Sequence, residues 1–282
     1  MLIENKTFPS ERDLYGSDDL TLINCKFDGV EDGESALKES KNITLKSCYM
    51  NLRYPLWHDD NVVLEDVTMT ENCRAAIWYT NNTKVFNSTL GGIKVFRECN
   101  NIEITNSNID SQEFGWNCNN VTFTDCEVNS QYILLNANNV NAKNTKFLGK
   151  YSFQYVKGGL FENVYIDTKD CLWHSEGVTV KDSIIKSEYL AWYSKNLTLI
   201  NCKIYGSQPL CYCEGLKLVD CEMIDTNLAL EYSDVDATIK GEILSVKNPK
   251  SGRIICDKIN DLVITDDSKY KSTCQIIELG KR

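Results

Sequence analysis

The chain has 282 residues, 42% hydrophobic and 25% charged, with 4 prolines and a formal net charge of -10. That composition belongs to a folded chain and excludes wholesale disorder, and with no Pro-, Gly- or Ser-rich linker it reads as one domain. The negative charge opposes binding to nucleic acid or to anionic membranes, both of which draw affinity from Lys and Arg.

Met1-Leu2-Ile3-Glu4-Asn5-Lys6 shows no basic segment followed by an apolar one, so no secretory signal is expected. No stretch approaches the length of apolar run that a membrane helix needs. The 13 cysteines are odd in number and fall at repeat positions, which favours a reducing, cytoplasmic location over a disulfide framework.

Residues 1–18 are irregular and are expected to cap the N-terminus. A repeat then begins, with the pattern Asn/Gly–apolar–x–apolar–x–Asn/Asp–small–x–apolar. It starts at Asp19, Asn42, Asn61, Asn82, Asn101, Asn120, Asn139, Gly158, Gly177, Asn196 and Gly215, at spacings of 23, 19, 21 and then 19 seven times. Positions two and four are apolar and two apart, as on one face of a strand; position four, for instance, carries Leu45, Leu64 and Ile104. Position six is Asn, Asp or Ser, and position one is Asn, Asp or Gly. These residues tolerate positive φ and mark tight turns. Position seven is small (Cys25, Cys48, Ser88, Cys126, Cys202, Cys221) and position nine apolar (Phe27, Met50, Leu90, Ile109, Ile204), which gives a second short inward strand.

A third strand is expected before each new start, as in Tyr132–Asn136 and Tyr189–Tyr193. Three strands and three turns per nineteen residues predict an all-β, right-handed parallel β-helix of about eleven to thirteen coils, with coils about 4.8 Å apart. The coils are expected over 19–233, with irregular last coils and a C-terminal cap over 234–282.

All 5 tryptophans fall in one column of that third strand, which reads Lys38, Trp57, Trp78, Arg97, Trp116, Leu135, Gln154, Trp173, Trp192 and Cys211. The next residue in each coil gives Glu39, His58, Tyr79, Glu98, Asn117, Asn136, Tyr155, His174, Tyr193 and Tyr212. Strict alternation groups the tryptophans with the small column Cys99, Cys118, Ala137, Val156, Ser175, Ser194 and Cys213, which is expected to be buried. A bulge before the turn inverts this and leaves a solvent-facing Trp stripe. Either way one outward face combines aromatics, charges and amides. That composition suits a sugar, and it equally suits ladder packing that needs no ligand. Lys38, Trp57, Trp78, Arg97, Trp116, Tyr155, Trp173, His174, Trp192 and Tyr193 are therefore the candidate ligand-binding residues.

Catalytic signals are weak. No C-x-x-C pair, phosphate loop, Ser-His-Asp order or H-E-x-x-H is present, and neither a metal nor a cofactor is expected. Glu39, His58 and Glu98 are the candidates for acid/base work, because neighbours in one column lie within hydrogen-bond reach.

Several stretches carry a resemblance. They are Ala36-Leu37-Lys38-Glu39-Ser40, Tyr54-Pro55-Leu56-Trp57, Arg74-Ala75-Ala76-Ile77-Trp78-Tyr79-Thr80, Trp116-Asn117-Cys118, Tyr189-Leu190-Ala191-Trp192, Leu228-Ala229-Leu230-Glu231-Tyr232-Ser233, Val235-Asp236-Ala237 and Asn248-Pro249-Lys250-Ser251-Gly252. With them nearly the whole chain resembles the bacterial domain of unknown function numbered 3737. That resemblance implies a pectin-lyase-like right-handed β-helix without defined catalytic residues. Pectin-lyase-like enzymes act on acidic polysaccharides, and Lys38, Arg97, Glu39 and Glu98 are the nearest equivalents here by character, without the compact Asp cluster of those enzymes.

Three readings follow. The first is a non-catalytic binding or scaffold protein for a glycan or protein partner. The second is a carbohydrate-active enzyme, a uronate-type lyase or hydrolase. The third is a self-associating structural protein that forms a homodimer.

Overall fold

The computed structural model describes residues 1–30 and 33–280. Apart from a 3-10 turn at Glu71–Cys73, the regular elements of the described residues are all strands. Each strand pairs in parallel with its equivalent one coil on, giving a right-handed parallel β-solenoid of about 14 turns. The chain divides into two compact units, Met1–Asn141 and Ala142–Arg282.

In the first unit a full coil carries three strands, as in Asp60–Glu65, Thr68–Met69 and Ile77–Trp78. The position-four column stacks as expected. Leu45, Leu64, Val85, Ile104 and Phe123 face one another in successive strands, and none is more than 1% exposed. Burying each such side chain contributes about 1.5–3 kcal/mol, and a one-residue slip would turn the whole file outward. That penalty fixes the register. Coiling begins earlier than the repeat pattern indicates, because Leu2–Glu4 already pairs with Asp18–Ile23, and Thr7–Phe8 with Lys26–Phe27.

The turn columns behave as their residue types require. Asn24, Ser47, Asp66, Asn87 and Asn106 have φ between 46° and 54°, and Asp19, Asn42, Asn61, Asn82 and Asn101 between 54° and 60°. The side chains then form amide ladders. Asn101, Asn120 and Asn139 each donate Nδ2 to the Oδ1 of the preceding Asn at 2.8–3.0 Å. Asn100, Asn119 and Asn138 repeat this one residue earlier in each coil, at 2.7–2.8 Å.

The second unit is built on the same rules. Phe161, Val180, Leu199, Leu218, Ala237 and Ile254 form one buried file, and Ile166, Ile185, Ile204 and Met223 another. Phe153 packs edge-on against Phe147 and Phe161 at 5.0 and 4.9 Å. Past residue 233, Asp234–Ile239 pairs with Ser251–Cys256 and Glu242–Lys247 with Lys258–Val263, so coiling continues there too.

The third side varies from coil to coil. In the first unit it is a short strand at Lys94–Arg97 and a turn at residues 36–39. In the second, the segment expected as the strand Tyr189–Tyr193 is instead a turn, with Tyr189, Ala191 and Tyr193 all left-handed (φ 55°, 56° and 61°). Its backbone still bonds coil to coil, through Ala191 N to Cys171 O and Leu210 N to Leu190 O at 2.7 Å each.

The cysteines sit where small inward residues are needed. All but Cys274 are buried, and burial pushes the thiols of Cys73, Cys171 and Cys213 up to about 12. They are neutral packing groups.

Candidate binding surface

Neither simple alternation nor its inversion describes the third side fully. Trp57, Trp78, Trp116, Trp173 and Trp192 are half-buried on the outer surface, the residue after each lies outside them, and the small column is fully buried. The cause is the middle residue. Glu39, His58, Tyr79, Glu98, Asn117, Tyr155, His174, Tyr193 and Tyr212 all have φ between 54° and 61°. One left-handed residue breaks the alternation, so two consecutive side chains point outward before the chain turns in. Grouping the tryptophans with the buried small column is therefore incorrect.

In the first unit the half-buried column is a cation–π ladder. The Lys38 ammonium lies 5.6 Å from the Trp57 ring centre. Trp57 stacks on Trp78 at 5.0 Å and 3°. The Arg97 guanidinium is sandwiched between Trp78 and Trp116 at 4.8 and 4.7 Å. Such contacts are worth about 0.5–2 kcal/mol each, according to exposure. The indoles are pinned from the side, Trp57 Nε1 donating to Ala75 O at 2.6 Å and Trp78 Nε1 to Lys94 O at 3.0 Å. Trp116 Nε1 is buried without an acceptor.

Beside this ladder lies a cavity of about 250 Å³ lined by Tyr54, Trp57, Arg74, Ala75, Trp78, Ile93 and Lys94. Its lining holds two cationic side chains and no carboxylate. Lys94 lies 3.8 Å from Glu113, but that carboxylate is held by Arg97 at 2.6 Å. Two cations thus share one anion at the rim.

In the second unit Trp173 stacks on Trp192 at 5.4 Å and 4°, and their Nε1 atoms donate to Tyr189 O and Gln208 O at 2.6 and 2.7 Å. Outside them Tyr155, His174, Tyr193 and Tyr212 form a second stack at 4.9, 5.0 and 4.7 Å, with planes within 11° of parallel. Rings stacked this closely cover one another's faces. What remains for a ligand is their edges, with a row of hydroxyls and an imidazole. Burial pushes the Tyr212 hydroxyl up to about 12.

The three acid/base candidates do not converge. Glu39 hydrogen-bonds Tyr15, which raises that phenol. His58 stacks on Tyr79 at 4.8 Å, and Glu98 accepts from Asn117 Nδ2 at 2.6 Å. No hydrogen bond joins Glu39 to His58. Among the described residues no three His, Cys, Asp or Glu side chains gather as a metal site would require.

Tyr54, Arg74, Ile93 and Lys94 lie outside the columns that the repeat singles out. For Arg74 alone a signal existed, in the one coil of 21 residues from Asn61 to Asn82. Its extra length forms the 3-10 turn Glu71–Cys73, followed by left-handed Arg74 (φ 50°), and this excursion lines the cavity.

A parallel β-solenoid whose third side carries two adjoining outward columns is thus the class of protein defined by fold and surface. The chain belongs to the family described as "Protein of unknown function (DUF3737)", whose model matches residues 1–277. No curated protein matches it. Solved structures similar to it include the surface protein and adhesin PfbA of Streptococcus pneumoniae, at 10% identity and TM-score 0.34, covering 98% of this chain and 82% of that one. HetL, a pentapeptide repeat protein of Nostoc sp. strain PCC 7120, aligns at 10% identity and TM-score 0.25, covering 82% and 87%. The catalytic domain of a GH87 alpha-1,3-glucanase aligns at 10% identity and TM-score 0.27, covering 99% and 64%. No helix of the described residues is long and apolar enough to cross a membrane.

Proposed function

We propose that this protein is a non-catalytic binding protein whose ligand is a glycan, seated over Tyr54, Trp57 and Trp78 in the first unit. The observation that carries this reading is the cavity beside the cation–π ladder, where aromatic and aliphatic walls meet Arg74 and Lys94 without any carboxylate in the lining. With the faces of Trp57 and Trp78 covered inside the ladder, the ring edges, Tyr54 and Ile93 can pack against the C–H groups of a sugar while Arg74 and Lys94 take its oxygens. At about 250 Å³ the cavity suits one ring, with the remainder of a longer glycan lying on the open surface. We place the protein in a reducing compartment, the cytoplasm, a reading supported by thiols that serve as small interior residues.

The test is a broad glycan array with the full chain, followed by calorimetry on any hit. Tyr54→Ala and Lys94→Ala should each weaken binding by about tenfold or more while leaving the thermal transition in place. An array without a specific hit, or a hit that both variants bind as tightly as the parent, removes the proposal.

A further inference from the structure

The outer face of the second unit carries alternating charges beside an exposed aromatic stripe. The charges pair along the ladder within one chain, Lys195 to Glu214 at 3.3 Å, and the same alternation presents a self-complementary face to a second copy. Two residues after each ring of the Tyr155–Tyr212 stack comes a fully outward charged side chain. In chain order these are Lys157, Glu176, Lys195 and Glu214, in register from coil to coil. Their signs alternate. On the other flank, five residues before the His174 and Tyr193 rings, Lys169 and Glu188 alternate in the same way, 2.9 Å apart. Between the flanks runs the aromatic stripe, with Tyr155 and Tyr193 48% and 45% exposed.

Such a face is its own complement. Consider a two-fold axis lying in the face, perpendicular to the columns and midway between the coils of His174 and Tyr193. It reverses the coil order of a second copy while keeping each column opposite its equivalent. Lys157 then meets Glu214 and Glu176 meets Lys195, while Lys169 meets Glu188. The rings oppose in the same operation, Tyr155 to Tyr212 and His174 to Tyr193. Moving the axis half a coil, onto the coil of His174, sets Glu176 against itself and Lys157 against Lys195. Like charges in direct opposition are destabilising, so the alternation excludes axes that lie on a coil. Of those midway between coils, only the one between His174 and Tyr193 opposes all four rings in pairs. Asp234, next in the column, ends the alternation and accepts a hydrogen bond from Ser251 Oγ at 2.9 Å.

We infer that this face is an isologous homodimer interface, formed by a second copy of the chain packed antiparallel across the Tyr155–Tyr212 stripe. Isologous contacts require a patch that complements itself under a two-fold, and Tyr-rich stripes flanked by paired charges are typical of interface centres and rims. The inference uses none of the residues lining the glycan cavity and stands independently of it.

Sedimentation of the full chain across the micromolar range tests it, and the parent should show a monomer–dimer equilibrium. Lys195→Glu opposes two carboxylates across the axis and should raise the dissociation constant at least about tenfold, as should Glu176→Lys. Combining Glu176→Lys with Lys195→Glu re-creates an attractive pair and should restore dimerisation. Both side chains are exposed, and losing the Lys195–Glu214 pair costs the single chain no more than about 1 kcal/mol, so the variants should still melt cooperatively as folded chains. A parent that stays monomeric throughout overturns the inference. So does a dimer indifferent to the single reversals, or one that the double exchange does not rescue.

Discussion

Asp59 occupies an inward position that Ser40, Thr80 and Cys99 fill in the neighbouring coils, and it is 1% exposed. In this column each side chain accepts the backbone N–H of its neighbour. Ser17 N donates to Ser40 Oγ, Ser40 N to Asp59 Oδ1 at 2.7 Å, and Thr80 N to Cys99 Sγ. One carboxylate oxygen is thereby satisfied, while Oδ2 is buried without a partner. Burial pushes this carboxyl up to about 8, so the folded chain keeps a proton that the unfolded chain releases near pH 4. The neutral acid's contribution is fully present below pH 4 and is lost as pH rises towards 8, by roughly 1.4 kcal/mol per unit. Urea denaturation between pH 4 and 9 should therefore show Asp59→Asn gaining on the parent up to about pH 8 and running parallel above it. Identical pH profiles would mean the carboxyl is not protonated in the fold. The ring column shows a related tension, since Tyr and His hold a left-handed backbone that Asn or Gly adopts more readily. Ring stacking along the column offsets that preference.

At the scale of the element, the outer ladders work only because each coil returns the same side chain to the same place. Arg97 is the clearest case, stacked between two indoles and bonded to Glu113 at 2.6 Å. A planar guanidinium can do both at once, whereas an ammonium cannot. Arg97→Lys should accordingly lower unfolding stability by about 1 kcal/mol in chemical denaturation, with Glu113→Gln costing a similar amount. An unperturbed Arg97→Lys midpoint would show that charge alone matters there. Likewise Asn101 both donates and accepts within its ladder. Asn101→Leu should cost about 2 kcal/mol, by leaving two neighbouring amides short of a partner and by placing Leu at φ 58°, and Asn101→Asp less, since Asp tolerates that backbone and its carboxylate still accepts from Asn120.

At the scale of the whole molecule, each unit is a stack in which a coil touches mainly its neighbours, so stability is close to a sum of coil and interface terms. Removing one complete repeat inside the second unit, residues 158–176, should leave a cooperatively melting β-rich protein, because Lys157 is then followed by Gly177 at the equivalent position. Removing 158–166 should abolish the transition in circular dichroism, since it turns inward files outward. The interior was legible in the chain itself. Leu45, Leu64 and Ile104 recur at a fixed interval, and the Asn and Gly turn columns take the positive φ that their chemistry allows. Nearest-neighbour geometry repeated along a chain is a local property, and local properties are written in residue order. The direction of Trp57 and Trp78 was not legible. It depends on a single left-handed residue, His58 or Tyr79, whose side chain gives no hint of that backbone. Nor was the cavity, which needed the position of Arg74 after the two-residue excess of one coil. Only packing in three dimensions settles where an outward side chain ends up, because nothing along the chain forces it into a shared interior.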